Sequence, residues 1–226
     1  MAQRKVRVKK ALESNAASKF NYSKNKEIYW ILGAMIVCIL VILLIPLISK
    51  ASNTFRYKGL TFTKERFGEI PVFHYYYSFS NNGENYQYNL FLRNDPRESK
   101  VNVSGEIIYP PATGTVYVSI NGEDMAKCKD SLREIYSLAD FMQGNLYKVK
   151  SGYPNKNFSE QNNLTYIDCS TNPNDMVILI KEGNETKIER NNKCYTVSVA
   201  NCQLLDAIEK FEVQSVIDAR NRARSN

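Results

Sequence analysis

Histidine occurs once in these 226 residues, at His74, and that scarcity removes more chemistry than any other feature of the composition. A Ser-His-Asp or Cys-His mechanism would have to run through that one imidazole, and no G-x-S-x-G elbow accompanies it. No C-x-x-C pair occurs among the five cysteines, so the usual spacing of a zinc site and of a redox-active dithiol is missing too. P-loop and dinucleotide-binding glycine patterns are absent. No catalytic residue, metal ligand or cofactor is therefore expected. His74 itself lies in the stretch VFHYYY, where hydrogen bonding and cross-strand packing are the ordinary roles of a strand histidine.

Charge is missing from one long stretch. The 21 residues from Ile28 to Ile48 carry no Asp, Glu, Lys or Arg, and at 1.5 Å per residue such a helix crosses a hydrocarbon core of roughly 30 Å. Residues 1–27 hold eight Lys/Arg against two acids, which by the positive-inside rule keeps that tail in the cytoplasm. The whole chain is +7, but residues 49–226 hold 22 basic and 21 acidic residues, so the outer part is nearly neutral and no nucleic-acid partner is expected. The basic tail reads as a topology determinant lying against anionic headgroups. A signal peptide's apolar region is shorter than this run, so a retained anchor is expected; Ser49-Lys50-Ala51 supplies the one small-residue cleavage alternative. Gly33 and Ala34 make too little small surface for a G-x-x-x-G helix pair.

Four of the five cysteines, Cys128, Cys169, Cys194 and Cys202, fall on the outer side, where an even number implies disulfides. Three connectivities are open. The short interval favours Cys194 with Cys202, leaving Cys128 with Cys169, while Cys38 stays a small apolar residue of the span. The same region holds four N-glycosylation triplets, at Asn102, Asn157, Asn163 and Asn184; a fifth, at Asn21, lies on the cytoplasmic side and is expected to stay unmodified.

Hydrophobic patterning gives an α+β fold: one N-terminal transmembrane helix, then an extracytoplasmic domain with a β-rich first half and two long helices packed on a mixed sheet in the second half. The boundaries are a basic tail over 1–27, a span over 28–48 and an outer domain over 49–226, divided into a β-rich part (49–120) and an α/β-alternating part (121–226). Aromatic-rich strands are expected at Phe55–Phe62, Val72–Phe79 and Tyr86–Arg93, with Asn82-Gly83 as a hairpin turn, and a further strand pair at Val101–Ile108 and Val116–Ile120. Phe73, Tyr75, Tyr77 and Phe79 should share one face, either packed in the core or exposed as a binding face, with His74 and Tyr76 on the other.

Beyond residue 120, a helix over Glu123–Gln143 places Met125, Cys128, Leu132, Ile135, Leu138, Ala139 and Met142 on one stripe, ended by Gly144 and capped by Asn121 or Asp124. Asp130 and Glu134 read as its solvated face, with Lys127 and Arg133. A strand at Leu146–Val149, a polar loop at Ser151–Gln161, and a meander of Met176–Lys181, Thr186–Arg190 and Cys194–Val199 follow. A last helix from about Cys202, capped by Asn201, buries Leu204, Leu205, Ile208, Phe211 and Val216.

The stretch YNLFLRNDPR (Tyr88 to Arg97), Cys128 at a helix start, MVILIKEGN, Cys194-Tyr195 and Asn201-Cys202-Gln203-Leu204-Leu205 together resemble single-pass envelope proteins of small archaeal genomes. That resemblance implies a cell-surface location and an α+β outer domain, and it carries over no catalytic residue. Within the motif Arg93 and Arg97 are positioned to pin the Asn94-Asp95-Pro96 turn. The expected function is a signal-anchored membrane protein whose noncatalytic outer domain binds a partner protein or a cell-surface glycan. The alternatives are an extracytoplasmic enzyme, either a thiol-disulfide oxidoreductase or a hydrolase without a sequence signature, and a subunit of a membrane assembly.

Overall fold

The computed structural model describes residues 26, 28–44 and 53–225. Helix α1 covers 28–44, the described part of the uncharged run, and every one of its residues is exposed. Among the described residues no helix is long and apolar enough to cross a membrane. The tail apart from Lys26, residues 45–48, the Ser49–Ala51 motif and the Asn21 triplet lie outside the described residues. The chain divides into two units, Met1–Asn53 and Thr54–Asn226.

The second unit is α+β. It opens with an antiparallel meander in the order β1-β2-β3-β4, formed by β1 (Thr54–Tyr57), β2 (Leu60–Phe67), β3 (Ile70–Asn81) and β4 (Glu84–Leu92). The single strand expected over Phe55–Phe62 is instead a hairpin, because Lys58 and Gly59 take φ of 45° and 85° and reverse the chain in two residues. Asn82 and Gly83 do the same between β3 and β4, at φ 52° and 84°.

A second sheet has six strands in the order β5-β9-β10-β8-β6-β7, from β5 (Asn102–Ser104), β6 (Thr115–Ile120), β7 (Lys148–Gly152), β8 (Met176–Glu182), β9 (Lys187–Asn191) and β10 (Cys194–Val199). β6 pairs in parallel with both β7 and β8, and β8 in parallel with β10; only β9–β10 is an antiparallel hairpin. Two expectations fail here. β5 and β6 do not pair with each other, and β8, β9 and β10 are not a meander, since β10 lies between the other two. The reason is burial: β8 reads MVILI with no polar alternation, which suits a central strand covered on both faces and flanked by parallel partners.

The helix expected over Glu123–Gln143 is two helices, α2 (Gly122–Met125) and α3 (Ser131–Gly144), separated by Cys128 and by Asp130 at φ 65°. The break re-phases the stripe. Leu138, Met142 and Phe141 are buried, but Leu132 is 72 % exposed. A short helix α4 (Lys156–Gln161), capped by the Asn155 side chain, occupies the expected polar loop. Helix α5 (Leu204–Ser225) starts later than expected, because Asn201 and Cys202 both take positive φ and belong to the turn before it.

Helix α5 is the centre of the unit. Buried residues occur on nearly every side of its first four turns, from Leu204 to Asp218, so it is covered on two faces rather than one. Phe211 meets Tyr195 of β10 edge to face at 5.9 Å, while on the meander side Lys210 donates to the Tyr57 hydroxyl and Arg220 to the Gly59 carbonyl. One hydrophobic core joins Leu60, Phe62, Leu90 and Leu92 of the meander, Ile208 and Phe211 of α5, and Ile178, Ile180 and Val197 of the mixed sheet.

The disulfides are Cys128–Cys202 and Cys169–Cys194, which corrects the favoured pairing. Parallel strands explain it. β6, β8 and β10 all run the same way, so Cys169 before β8 and Cys194 at the start of β10 lie at the N-terminal end of these strands. Cys128 after β6 and Cys202 after β10 lie at their C-terminal end. Cys194 and Cys202 are held apart by a six-residue strand about 16 Å long.

Candidate functional site

Three places gather chemistry-bearing side chains. The first is a cluster of acids between α3, α5 and the end of β4. Glu209 accepts the backbone N–H groups of Arg93 and Asn94 at 2.5 and 3.1 Å, Glu134 accepts from Arg93 and Arg133, and Ser137 donates to Glu212 at 3.3 Å. Burial raises the Glu212 carboxyl to about 8, with Glu209 adding repulsion and the Ser137 bond opposing it. Burial likewise raises Glu209 to about 7 against the two backbone donors. Raised carboxyls of this kind mark many catalytic acids. Both are largely closed off, Glu212 at 1 % and Glu209 at 7 % exposure, and the Glu209 oxygens are taken up by the two backbone donors. The cluster anchors the Arg93–Asp95 turn. Glu134, expected in solvent, is a buried member of it because the turn brings the Arg93 guanidinium over α3. Arg97 pins the same turn through Asp95 at 2.5 Å.

The second is a polar cleft of about 720 Å³ beside that turn, lined by Lys64, Arg93, Lys100, Glu98, Glu185 and Asp206 among others. Three basic residues, Lys64, Arg93 and Lys100, face four acids, Asp95, Glu98, Glu185 and Asp206, so the cleft presents both signs.

The third is a groove of about 480 Å³ between β3, the C-terminal ends of α3 and α5, and the loop through Tyr109 and Ala112. The strand period builds one wall: Tyr75, Tyr77 and Phe79 share a face of β3 and pack ring against ring, with centroids 5.9 and 6.1 Å apart. Tyr109 and Tyr147, stacked at 4.9 Å, form another. Small residues keep the space open on α5, where Ala219 and Ala223 line it beside Ser215 and Val216. Arg220 is the one charged residue in the lining.

Hydrogen bonds fix the rings. Tyr77 donates to Asn145 Oδ1 at 2.7 Å, and the Asn145 amide donates to the Phe141 carbonyl at 2.7 Å. Tyr109 donates to Ser215 Oγ at 2.8 Å, and Ser215 in turn to the Phe211 carbonyl at 2.6 Å. Burial raises the hydroxyls of Tyr77, Tyr109 and Tyr147 above the ordinary value for tyrosine, so all three are neutral near pH 7. Gly144 lies against the Tyr88 ring, where a Cβ would clash, so its role is close approach; the helix turns out at Leu146, which takes φ 67°.

The expected face assignment holds on β3: Phe73 is buried, Tyr75, Tyr77 and Phe79 are half-buried on the inner face, and Tyr76 is exposed. His74 lies on the other face between Glu65 (2.9 Å) and Asn89 (3.2 Å), stacked on Phe91. Sequence reading missed Tyr109, Asn145, Tyr147 and Ser215, which topology brings from three separate segments. It also missed the acids of α5, although Glu209 and Glu212 stand at helical spacing within the apolar stripe. All four glycan-acceptor asparagines, Asn102, Asn157, Asn163 and Asn184, are exposed. Among the described residues no group of three His, Cys, Asp or Glu is placed to hold a metal ion. No protein-family model, curated protein or solved structure matches the chain.

Proposed function

We propose that this chain is a signal-anchored, single-pass membrane protein with a cytoplasmic N-terminus, whose outer domain binds an elongated ligand, a cell-surface glycan or a partner segment, in the aromatic groove without chemistry. The carrying observation is the groove itself. Its volume is that of a ligand site, its walls are aromatic, and the polar side chains of Tyr77, Tyr109, Asn145 and Ser215 converge there from separate segments and are already hydrogen-bonded. Rings held in place before a ligand arrives lose little freedom on binding, which favours affinity. Anchoring is supported by the uncharged run, by its basic flank, and by a described helix that is apolar all round and exposed at every residue. Partners are thus the lipid bilayer and a surface ligand; nucleic acid is not among them. Catalysis finds no support in the buried acids or in His74, whose ring nitrogens are both engaged.

The test fills the groove without touching the core. Ala219 is exposed and lines the groove, so Ala219→Phe should leave thermal stability unchanged while occupying the space. Full-length protein in nanodiscs is titrated against a panel of neutral and acidic oligosaccharides and extended aromatic peptides, read by tyrosine fluorescence. Binding that falls at least tenfold in the filled variant supports the groove. Binding of equal strength in both proteins places the ligand elsewhere and refutes this reading.

A further inference from the structure

Every sheet edge of the second unit but one is protected. β1 ends the meander with four residues, and β5 ends the mixed sheet with three. β7 carries Lys148 and Lys150, and its chain runs on into a bridge between Tyr153 and Tyr166. Short edges and edge lysines are the usual defences against unwanted strand pairing. β4, the remaining edge, is nine residues long without proline, lysine or bulge, and its single charge is Glu84 at the hairpin end.

The hairpin fixes which backbone groups of β4 are bare. Its two-residue turn at Asn82-Gly83 closes on the hydrogen-bonded pair Asn81 and Glu84, so by alternation Glu84, Tyr86, Tyr88, Leu90 and Leu92 bond to β3. Asn85, Gln87, Asn89 and Phe91 point their N–H and C=O groups away from the sheet, and among the described residues none of these groups finds a partner. The same four side chains are exposed and uncharged.

An apolar pair lies beside this edge. α3 runs along β4 in the opposite sense, since Tyr88 meets Asp140 and Phe141 while Arg93 meets Glu134. It packs on α5 and β7 and buries Leu138, Phe141 and Met142, which leaves Leu132 and Tyr136, one turn apart, 72 % and 74 % exposed on its far side.

We infer that β4 pairs antiparallel with β4 of a second copy of this chain, across a twofold axis at Tyr88. In that register Asn85 falls opposite Phe91 of the second copy and Gln87 opposite Asn89, and each of these pairs exchanges two hydrogen bonds. Every bare group of both strands is used, and no other twofold centre achieves that. Charge fits the same register. Glu84 of each copy stands opposite Leu92 of the other, next to Arg93, so the one acid of the edge meets a base and no like charges face each other. Leu132 and Tyr136 stand by the Arg93 end, where the second copy's hairpin arrives. A foreign strand would match the backbone of this edge equally well; the self-match in register and charge selects a second copy.

The test uses full-length protein in detergent, with Cys38→Ser throughout to remove the free thiol. Light scattering should show a dimer that forms with rising concentration. Gln87→Pro deletes one outward N–H on an edge strand, where proline is tolerated, so the variant keeps its circular dichroism while its dimer dissociation constant rises roughly tenfold or more. Gln87→Cys and Asn89→Cys chains of different length, mixed and mildly oxidised, should link to each other in preference to either linking to itself. That cross-link decides even where the proline variant fails to fold. A wild type that stays monomeric at every soluble concentration overturns the inference and leaves the edge to a strand of another protein. A dimer that Gln87→Pro leaves intact, or in which cysteines at 87 and 89 do not meet, overturns it as well, because the contact then lies elsewhere.

Discussion

Two glutamates on one helix show how little of a side chain's behaviour is set by its formula. Glu212 and Glu209 are three residues apart on α5; desolvation holds the first at about 8 and the second at about 7, against an ordinary 4.5. A carboxyl whose folded value is raised takes up protons on folding. Its favourable contribution is therefore complete below about pH 4.5 and is lost as pH climbs through 7 to 8. Asp95 and Asp168 act in the opposite sense, since hydrogen bonds from Arg97 and from Tyr166 and Ser170 lower them; their stabilisation fades in acid. The difference between wild type and Glu212→Gln isolates one group from this mixture. Denaturant unfolding should show the variant more stable by on the order of 4 kcal/mol at pH 8 and indistinguishable at pH 4. A constant difference at both pH values would show that burial does not raise the Glu212 carboxyl above its unfolded value.

At the scale of elements, the parallel strands dictate which cysteines meet. Non-reducing peptide mapping should recover Cys128–Cys202 and Cys169–Cys194 and no Cys194–Cys202 link. Both bridges restrict the unfolded chain, and the longer loop, 74 residues against 25, makes Cys128–Cys202 worth about 1 kcal/mol more. Melting Cys202→Ser and Cys169→Ser side by side should show the larger loss for the first. The sequence reading went wrong at the pairing for a reason that also limits it elsewhere. Alternation and turn residues reveal local structure: Asn82-Gly83, the β3 aromatics and the β8–β10 runs were all legible, and so was a C-terminal helix. What was not legible depended on partners distant in the chain. The parallel sheet order, the acids drawn into α5's surroundings and the groove assembled from Tyr77, Tyr109, Asn145, Tyr147 and Ser215 leave no periodic trace. Two local signals were present and passed over: Lys58-Gly59 as a tight turn within an aromatic run, and Asp130 as a helix break.

For the molecule as a whole, the uncharged run and its basic flank predict sidedness. Protease added to sealed vesicles that expose the outer face should remove the domain and leave a fragment of residues 1 to about 48. An intact domain under that treatment would reverse the assignment of sides. The meander's register then sets how such a protein would bear load. If the anchor is pulled one way and a ligand in the groove the other, tension enters along the axis of β1 and passes to β2 through four residue pairs, Thr54 to Tyr57. Hydrogen bonds lie across the strands, so this geometry shears all four pairs together rather than peeling them one by one. The Phe55–Phe62 stack at 5.6 Å and the Arg97 guanidinium 3.9 Å over Phe55 resist the same slip. Beyond β1 stand the longer ladders and the disulfide-closed sheet. In a protein tethered at its N-terminal run and loaded at the groove, the four-residue strand would be the mechanical fuse: under tension it would yield first, lengthening the tether while the groove keeps its shape.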